Sequence, residues 1–315
     1  MRIGLDMMGG DFAPAAAVKG VKLFLDTVAS DAHLVLIGDE SQLVPLLAEA
    51  QVDQSKYSVV HSSQVIGMNE HPTKALKEKP QSSISIGFHL LKNEKIDAFI
   101  SAGNTGAMMV GTFYSIKAID GVQRPTISTL VPRENGTQGL MLDVGINADC
   151  KAENLVQFAI LGSLYSKHIL KVDNPKVGLL NIGEEEGKGN LLAQATYPLL
   201  KENKLINFIG NIEGRDVLTE KADVIVCEGF TGNIILKMAE SIYDIASRRN
   251  INDEYLNKLD SESYGGTPVL GVSKPVIIGH GISQNVAFKN MILLAQQMIE
   301  SKLLEKIQES FHSNN

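Results

Sequence analysis

From its first residues the chain alternates between short apolar runs ending in Gly, Asp or Asn and longer segments whose apolar residues recur at helical spacing. Strands covered on both faces read as continuous apolar runs, and parallel neighbours need helical crossovers. The alternation therefore specifies βαβ units and a mostly parallel sheet with helices on both sides. Strands are expected near 2–6, 32–37, 57–61, 97–101, 126–131, 139–143, 176–182, 206–210, 222–227 and 275–279. Helical patterns fall near 14–29, 40–50, 82–93, 104–119, 152–170, 189–201, 231–249 and 283–308. At 315 residues the length suits one large domain or two smaller ones. No repeat and no Gly/Ser linker divides it, so the expectation is a single α/β domain over 1–315 with an embedded subdomain. The least regular stretch, 244–274, reads as a polar excursion closed by a turn at Tyr264-Gly265-Gly266.

Composition narrows the function. The formal charge of -7 argues against a general binder of nucleic acid or of anionic membranes. Cys150 and Cys227 lie outside any CxxC or Cys/His spacing, which removes disulfide frameworks and structural zinc. The N-terminus has no long apolar core, and no apolar run approaches the ~20 residues that span a bilayer. A cytoplasmic location without signal peptide or anchor is expected.

In open parallel sheets ligands collect at the carboxyl ends of strands, and the unusual residues concentrate there. After the first strand comes Asp6-Met7-Met8-Gly9-Gly10-Asp11, either a substrate or anion loop or an ordinary β–α turn with Asp caps. Ser101-Ala-Gly-Asn104-Thr105-Gly106 opens a helix whose free N–H groups and dipole suit an oxyanion or phosphate, with Asn104 and Thr105 able to add bonds. A tight packing turn would ask for the same glycines. Asn181-Ile-Gly183-Glu-Glu-Glu-Gly187-Lys188-Gly189-Asn190 is one residue short of a P-loop and has Gly189 where Ser or Thr is required, so magnesium–ATP is not supported. Lys188 is either a partner for an anion or a solvated residue in an acidic loop. In Cys227-Glu-Gly229-Phe-Thr-Gly-Asn233, Asn233 should stand near N1–N3 of a helix, polarising a carbonyl or merely capping. His280 follows the last strand between two glycines.

There is no G-x-S-x-G elbow, no dinucleotide fingerprint after the first strand and no activating context for either cysteine. What remains is a set of backbone donors, amides and one Lys, suited to acyl or phosphoryl transfer without a covalent enzyme intermediate. That chemistry needs no metal and no cofactor.

Through these residues the chain resembles the PlsX family, the acyl-carrier-protein-dependent phosphate acyltransferases of bacterial phospholipid synthesis. The resemblance runs in order through Asp6 to Asp11, Ile100 to Gly106, Leu142-Asp-Val-Gly-Ile-Asn147, Val177 to Asn181 with Lys188-Gly-Asn190, Asn207 to Asn211, Gly229 to Asn233 and Tyr264 to Gly266. It implies a three-layer α/β/α sandwich akin to the isocitrate and isopropylmalate dehydrogenases, usually a homodimer. The implied reaction is attack of inorganic phosphate on the thioester of acyl-acyl carrier protein, giving acyl phosphate for a membrane glycerol-3-phosphate acyltransferase. Mapped onto this chemistry, Lys188 binds phosphate or the tetrahedral oxyanion, and Asn233 with nearby helix-start amides polarises the carbonyl. Asn104, Thr105 and Gly106 cradle phosphate, while Asp6, Gly9, Gly10 and His280 shape the mouth.

Two departures from the family pattern stand out. Met7 replaces a usual Ala, adding bulk beside the first loop. The stretch 241–262, often a longer apolar and basic hairpin, is short here and carries 3 basic and 5 acidic residues, so membrane contact is not expected. Carrier proteins are acidic, which makes Lys74, Lys77, Lys79, Arg124 and Arg133 candidate docking residues. The alternatives are a phosphate acetyl- or butyryltransferase using coenzyme A thioesters, and a non-catalytic acyl- or phosphate-binding module.

Overall fold

The computed structural model describes residues 1–260 and 264–312. The chain opens with β1 (Arg2–Asp6), α1 (Ala15–Thr27), β2 (His33–Gly38), α2 (Glu40–Glu49), β3 (Tyr57–His61), α3 (Pro72–Glu78), α4 (Ser83–Lys92), β4 (Ala98–Ser101) and α5 (Thr105–Ser115). It continues through β5 (Thr126–Pro132), β6 (Gln138–Leu142), α6 (Ala152–His168), β7 (Lys176–Leu180), α7 (Leu191–Glu202), β8 (Asn207–Ile212), β9 (Val224–Val226), α8 (Gly229–Arg248) and α9 (Glu254–Asn257). It closes with β10 (Gly266–Leu270), β11 (Val276–Gly279), α10 (Asn285–Glu300) and α11 (Leu303–His312).

Two compact units result, the first from Met1–Ala118 and Ser261–Leu304, the second from Ile119–Asp260 and Glu305–Asn315. In the first the strand order is β3-β2-β1-β4-β11-β10, parallel except for β10 against β11. In the second the order is β5-β6-β9-β7-β8, parallel except for β5 against β6. Helices flank both sheets, as central strands without a polar face require. Ile3, Leu5, Leu34, Leu36, Phe99 and Ile100 are fully buried in the first unit. There α4 lies on β1 and β4 and sets Phe88 edge-on to Phe99, centroids 5.2 Å apart. In the second unit α6 lies on β6 and β9, burying Phe158, Leu161 and Tyr165 over Leu140, Leu142 and Val224.

All ten expected strands form, with ends moved by up to two residues. The eleventh described strand, β10, was not expected because Pro268 interrupts its apolar run and lacks the N–H a ladder uses. It nonetheless pairs with β11, Thr267 opposite Ile278. The helix expected over 283–308 is two helices, broken where Lys302 turns into the left-handed region at φ 54°. The polar excursion at 244–274 holds the end of α8, then α9 and β10, and its residue Glu262 lies outside the described residues.

Candidate active site

In the first unit the carboxyl ends of β1 and β4 are tied by a buried carboxylate. Asp6, 1% exposed, accepts from Ser101 Oγ at 2.6 Å and from the Met8 N–H at 2.9 Å. Ser101 Oγ in turn accepts from the Gly103 N–H at 2.9 Å. Burial pushes the Asp6 carboxyl above the usual range, and the bonds from Ser101, Ser83, Met8 and Gly9 only partly oppose it. The two turns approach so closely that a Cβ on Gly9 would meet Asp6 Oδ2 at 2.5 Å and the Gly103 N at 2.6 Å. Gly10 takes φ 98°, open to glycine, and the next N–H, of Asp11, bonds the Gly281 carbonyl at 2.8 Å.

Asn104 is the N-cap of α5. Its Oδ1 accepts from the Ala107 N–H at 2.9 Å, while its Nδ2 donates to the carbonyls of Gly67, Met68 and Glu70 at 3.0–3.1 Å. The amide is thus spent on fixing the 67–70 loop across the helix start. The N–H groups of Thr105 and Gly106 belong to the first turn, which has no intrahelical acceptors. Thr105 is exposed, and Gly106 lies against Pro72. His280 is exposed on the loop after β11, with the Ser283 N–H on its carbonyl at 2.9 Å.

In the second unit the β6–α6 turn is organised by Asp143, fully buried. Its Oδ1 accepts from the N–H groups of Gly145 and Ile146 at 2.8 and 2.9 Å, and its Oδ2 from the N–H and Nδ2 of Asn147. Burial raises this carboxyl too, against those donors. Asn147 extends the frame, donating to the Pro125 carbonyl at 2.9 Å and accepting from the Gly229 N–H at 2.8 Å. The start of α8 presses so tightly on this turn that a Cβ on Gly232 would lie 1.9 Å from the Asp143 carbonyl oxygen.

Asn233 is the fifth residue of α8, not one of its first three. The helix begins earlier because Glu228 caps it, accepting from the Thr231 N–H at 2.8 Å and from Thr231 Oγ1. With the Gly229 N–H on Asn147 and the Thr231 N–H on Glu228, two of the expected carbonyl-polarising amides are occupied. A carboxylate already sits where the helix dipole favours an anion. Asn233 itself is exposed and stands against Gly145, whose Cβ position is 3.4 Å from its Oδ1.

Lys188 is exposed in the loop between β7 and α7. Asn181 fixes the loop by donating to the Lys188 carbonyl at 3.1 Å, and Gly189 takes φ 96° beside Asn181 Oδ1. Asn190 caps α7 through the Ala193 N–H at 2.8 Å. Two of the three neighbouring glutamates are claimed by other cations. Glu184 pairs with Lys221 at 2.5 Å, Lys221 also holds Asp216 at 2.7 Å, and Glu186 pairs with Lys201. Among the described residues no hydrogen bond or ion pair engages the Lys188 ammonium. Beside this loop a pocket of about 500 Å³ is lined by Leu155, Leu179, Leu180, Asn181, Gly189, Leu192, Ala193, Cys227, Glu228, Thr231 and Ile235, among others.

Neither cysteine is poised as a nucleophile. Burial, with Asp143 and Glu228 nearby, pushes the Cys150 thiol up to about 11, and burial pushes the Cys227 thiol well above the usual thiol range. Among the described residues no group of three or more His, Cys, Asp or Glu could hold a metal ion. None of their helices is long and apolar enough to cross a membrane. Of the expected docking cations, Arg133 is withdrawn. It is 6% exposed and donates to Asp223 Oδ1 at 2.9 Å and to the Ala222 carbonyl at 2.7 Å. Lys79 holds Glu70 at 2.5 Å and Arg124 bonds the Asp149 carbonyl, while Lys74 and Lys77 are exposed.

Asp143, Asn147 and Glu228 were not singled out as site residues. A strand-end Asp-x-Gly-x-Asn is the signal that points to the first two, since a buried carboxylate there must draw donors from its own turn. Glu228 gives little sign of itself, because Ser, Thr, Asp and Asn are the usual N-caps.

Mostly parallel sheets flanked by helices, with capped helix starts and glycine turns at their strand ends, make an α/β fold of the phosphotransacetylase kind. A phosphotransacetylase from Streptococcus pyogenes superposes with a TM-score of 0.67 at 17% identity, over 95% of this chain and 94% of that one. A 4-hydroxythreonine-4-phosphate dehydrogenase from Klebsiella pneumoniae shares the fold at a TM-score of 0.50 and 10% identity, over 95% and 97% of the two chains. The family model described as fatty acid synthesis protein matches residues 1–306. A phosphate acyltransferase from Dictyoglomus turgidum is 44% identical over 99% of this chain and 98% of its own length. The chain belongs to this phosphate acyltransferase family, the PlsX family, and is an acyltransferase.

Proposed function

We propose that the enzyme transfers a fatty acyl group from acyl-acyl carrier protein to inorganic phosphate, and that the acyl phosphate serves phospholipid synthesis. The observation that carries this reading is the Lys188 ammonium, left without a partner in a loop whose Glu184 and Glu186 are already paired. Phosphate is anionic and nucleophilic at neutral pH, so the reaction asks for orientation and charge stabilisation more than for a strong base. A phosphate oxygen adds to the thioester carbon, the C–O bond forms, and the carbonyl oxygen takes the negative charge. Collapse of that intermediate breaks the C–S bond and releases the carrier thiolate, which takes a proton from water. Lys188 stabilises phosphate or the oxyanion, and the Asn233 amide polarises the carbonyl. Thr105 and Gly106 offer N–H groups to phosphate from a turn that Asn104 holds, while Asp6, Gly9, Gly10 and His280 give the first unit's loops their shape.

The same reading includes a homodimer. On α8, Phe230, Ile234, Met238, Ile242 and Ile245 are between 38% and 63% exposed, a large apolar stripe on a 20-residue helix. Exposed stripes of that size mark association surfaces more often than bare monomer surface.

The test is phosphate-dependent release of carrier thiol from a long-chain acyl-acyl carrier protein, with the coenzyme A thioester run beside it. Release from the carrier, with acyl phosphate formed, is expected. Turnover of a short coenzyme A thioester alone would assign a phosphate acetyl- or butyryltransferase instead, and silence on both would assign a binding role.

A further inference from the structure

Resting on the acyl transfer just proposed, we infer that the pocket beside β7 in the second unit holds the alkyl chain of the fatty acyl group, its carboxyl end toward the Lys188 loop. At about 500 Å³ the pocket falls within the ~300–1,000 Å³ of small-molecule sites. Its walls are mainly Leu155, Leu179, Leu180, Leu192, Ala193 and Ile235. The polar wall groups are already employed: Asn190 caps α7, and both oxygens of Glu228 face Thr231. An uncharged chain therefore leaves no donor or acceptor stranded. Inorganic phosphate would meet the Glu228 carboxylate instead.

The rim agrees with an amphiphile. Ile182 and Leu191 flank the loop at 81% and 86% exposure, among the most exposed large apolar side chains of the described residues. Asn181, itself in the wall, bonds the carbonyl of Lys188, so the unpaired cation belongs to the segment bordering the pocket. An apolar cavity edged by exposed aliphatics and one ammonium group matches a long chain ending in an acyl phosphate or thioester, and fits neither a nucleotide nor a free anion.

The chain contains no Trp, so one introduced indole reports its own surroundings. Leu192→Trp places it in the pocket wall, and Tyr114→Trp, at a site 81% exposed in the first unit, is the control. Titration with a brominated octadecanoic acid should quench the L192W indole saturably and leave Y114W unchanged. Shorter unbranched fatty acids should compete, each added methylene gaining about fourfold in affinity until the pocket is filled. No quenching of L192W, or equal quenching of both variants, overturns the assignment. Circular dichroism checks folding, and Ile235→Trp on the facing helix replaces L192W should that variant fail to fold. Phosphate-dependent transfer in the wild type without quenching would remove the pocket and keep the reaction. Quenching without transfer would keep the pocket as a fatty-ligand site and remove the reaction.

Discussion

Replacing Lys188 by Ala separates catalysis from folding. The ammonium is exposed and engages no partner among the described residues, so its removal breaks no ion pair and opens no cavity. Substitutions of that kind shift stability by no more than about 0.5 kcal/mol. Its loss in the reaction is of another order. One preorganised donor aimed at developing negative charge is worth about 10²–10³ in kcat, roughly 2.7–4 kcal/mol. Lys188→Ala should thus lower phosphate-dependent thiol release by about two to three orders of magnitude with an unchanged thermal midpoint, and Lys188→Arg should recover part of it. Lys221→Ala, which frees Glu184 and Asp216, is the matched control and should stay within about threefold of wild type. Wild-type activity in Lys188→Ala, or an equal loss in Lys221→Ala, would refute the role given to the unpaired cation.

Further expectations follow from the buried groups. Burial raises the Asp6 carboxyl, so the native state holds that proton more tightly than the unfolded chain. Its stabilising share is complete below the unfolded value near 3.8 and is lost as the pH rises through the folded one. Asp6→Asn should therefore gain on wild type as the pH rises above about 4 in paired denaturant melts, and a gap independent of pH would contradict this. Arg133→Ala strands Asp223 in the interior and should cost about 3–5 kcal/mol in urea unfolding, with the double change Arg133→Met, Asp223→Leu recovering most of it. With the Cys150 thiol near 11, iodoacetamide at about pH 8 should leave transfer intact, and rapid inactivation would mean a reactive thiol. Met238→Glu on the exposed stripe of α8 should yield a monomer in sedimentation velocity, and an unchanged profile would place any dimer contact elsewhere.

The central strands could be read because their side chains are buried on both faces, leaving apolar runs such as Leu34 to Ile37 and Val224 to Val226 that nothing else explains. The glycine turns could be read for the same reason in reverse, since Gly9 and Gly10 stand where side chains do not fit. Partnership over distance was not legible. Asn104 looks like a ligand donor in its own segment, and only the folded chain brings the 67–70 carbonyls to its amide. Glu228 carries no usual capping signature, which moved the expected start of α8 and with it the place of Asn233. Arg133 looked like a surface cation until Asp223, 90 positions on, came to lie beside it. β10 was hidden by its own proline.

The paired glutamates around Lys188 also govern how an anion arrives. Lys201 and Lys221 are committed to Glu186, Glu184 and Asp216, and Glu185 adds a further negative charge, so this part of the surface projects no net positive field. The whole chain, at -7, opposes an incoming anion. Phosphate is therefore not steered from afar and feels the free ammonium only inside the ~8 Å over which physiological salt leaves charges visible. Added neutral salt would relieve repulsion before it masked attraction. Encounter with phosphate should quicken slightly as ionic strength rises from very low values, opposite to the behaviour of enzymes that draw anions down a basic funnel.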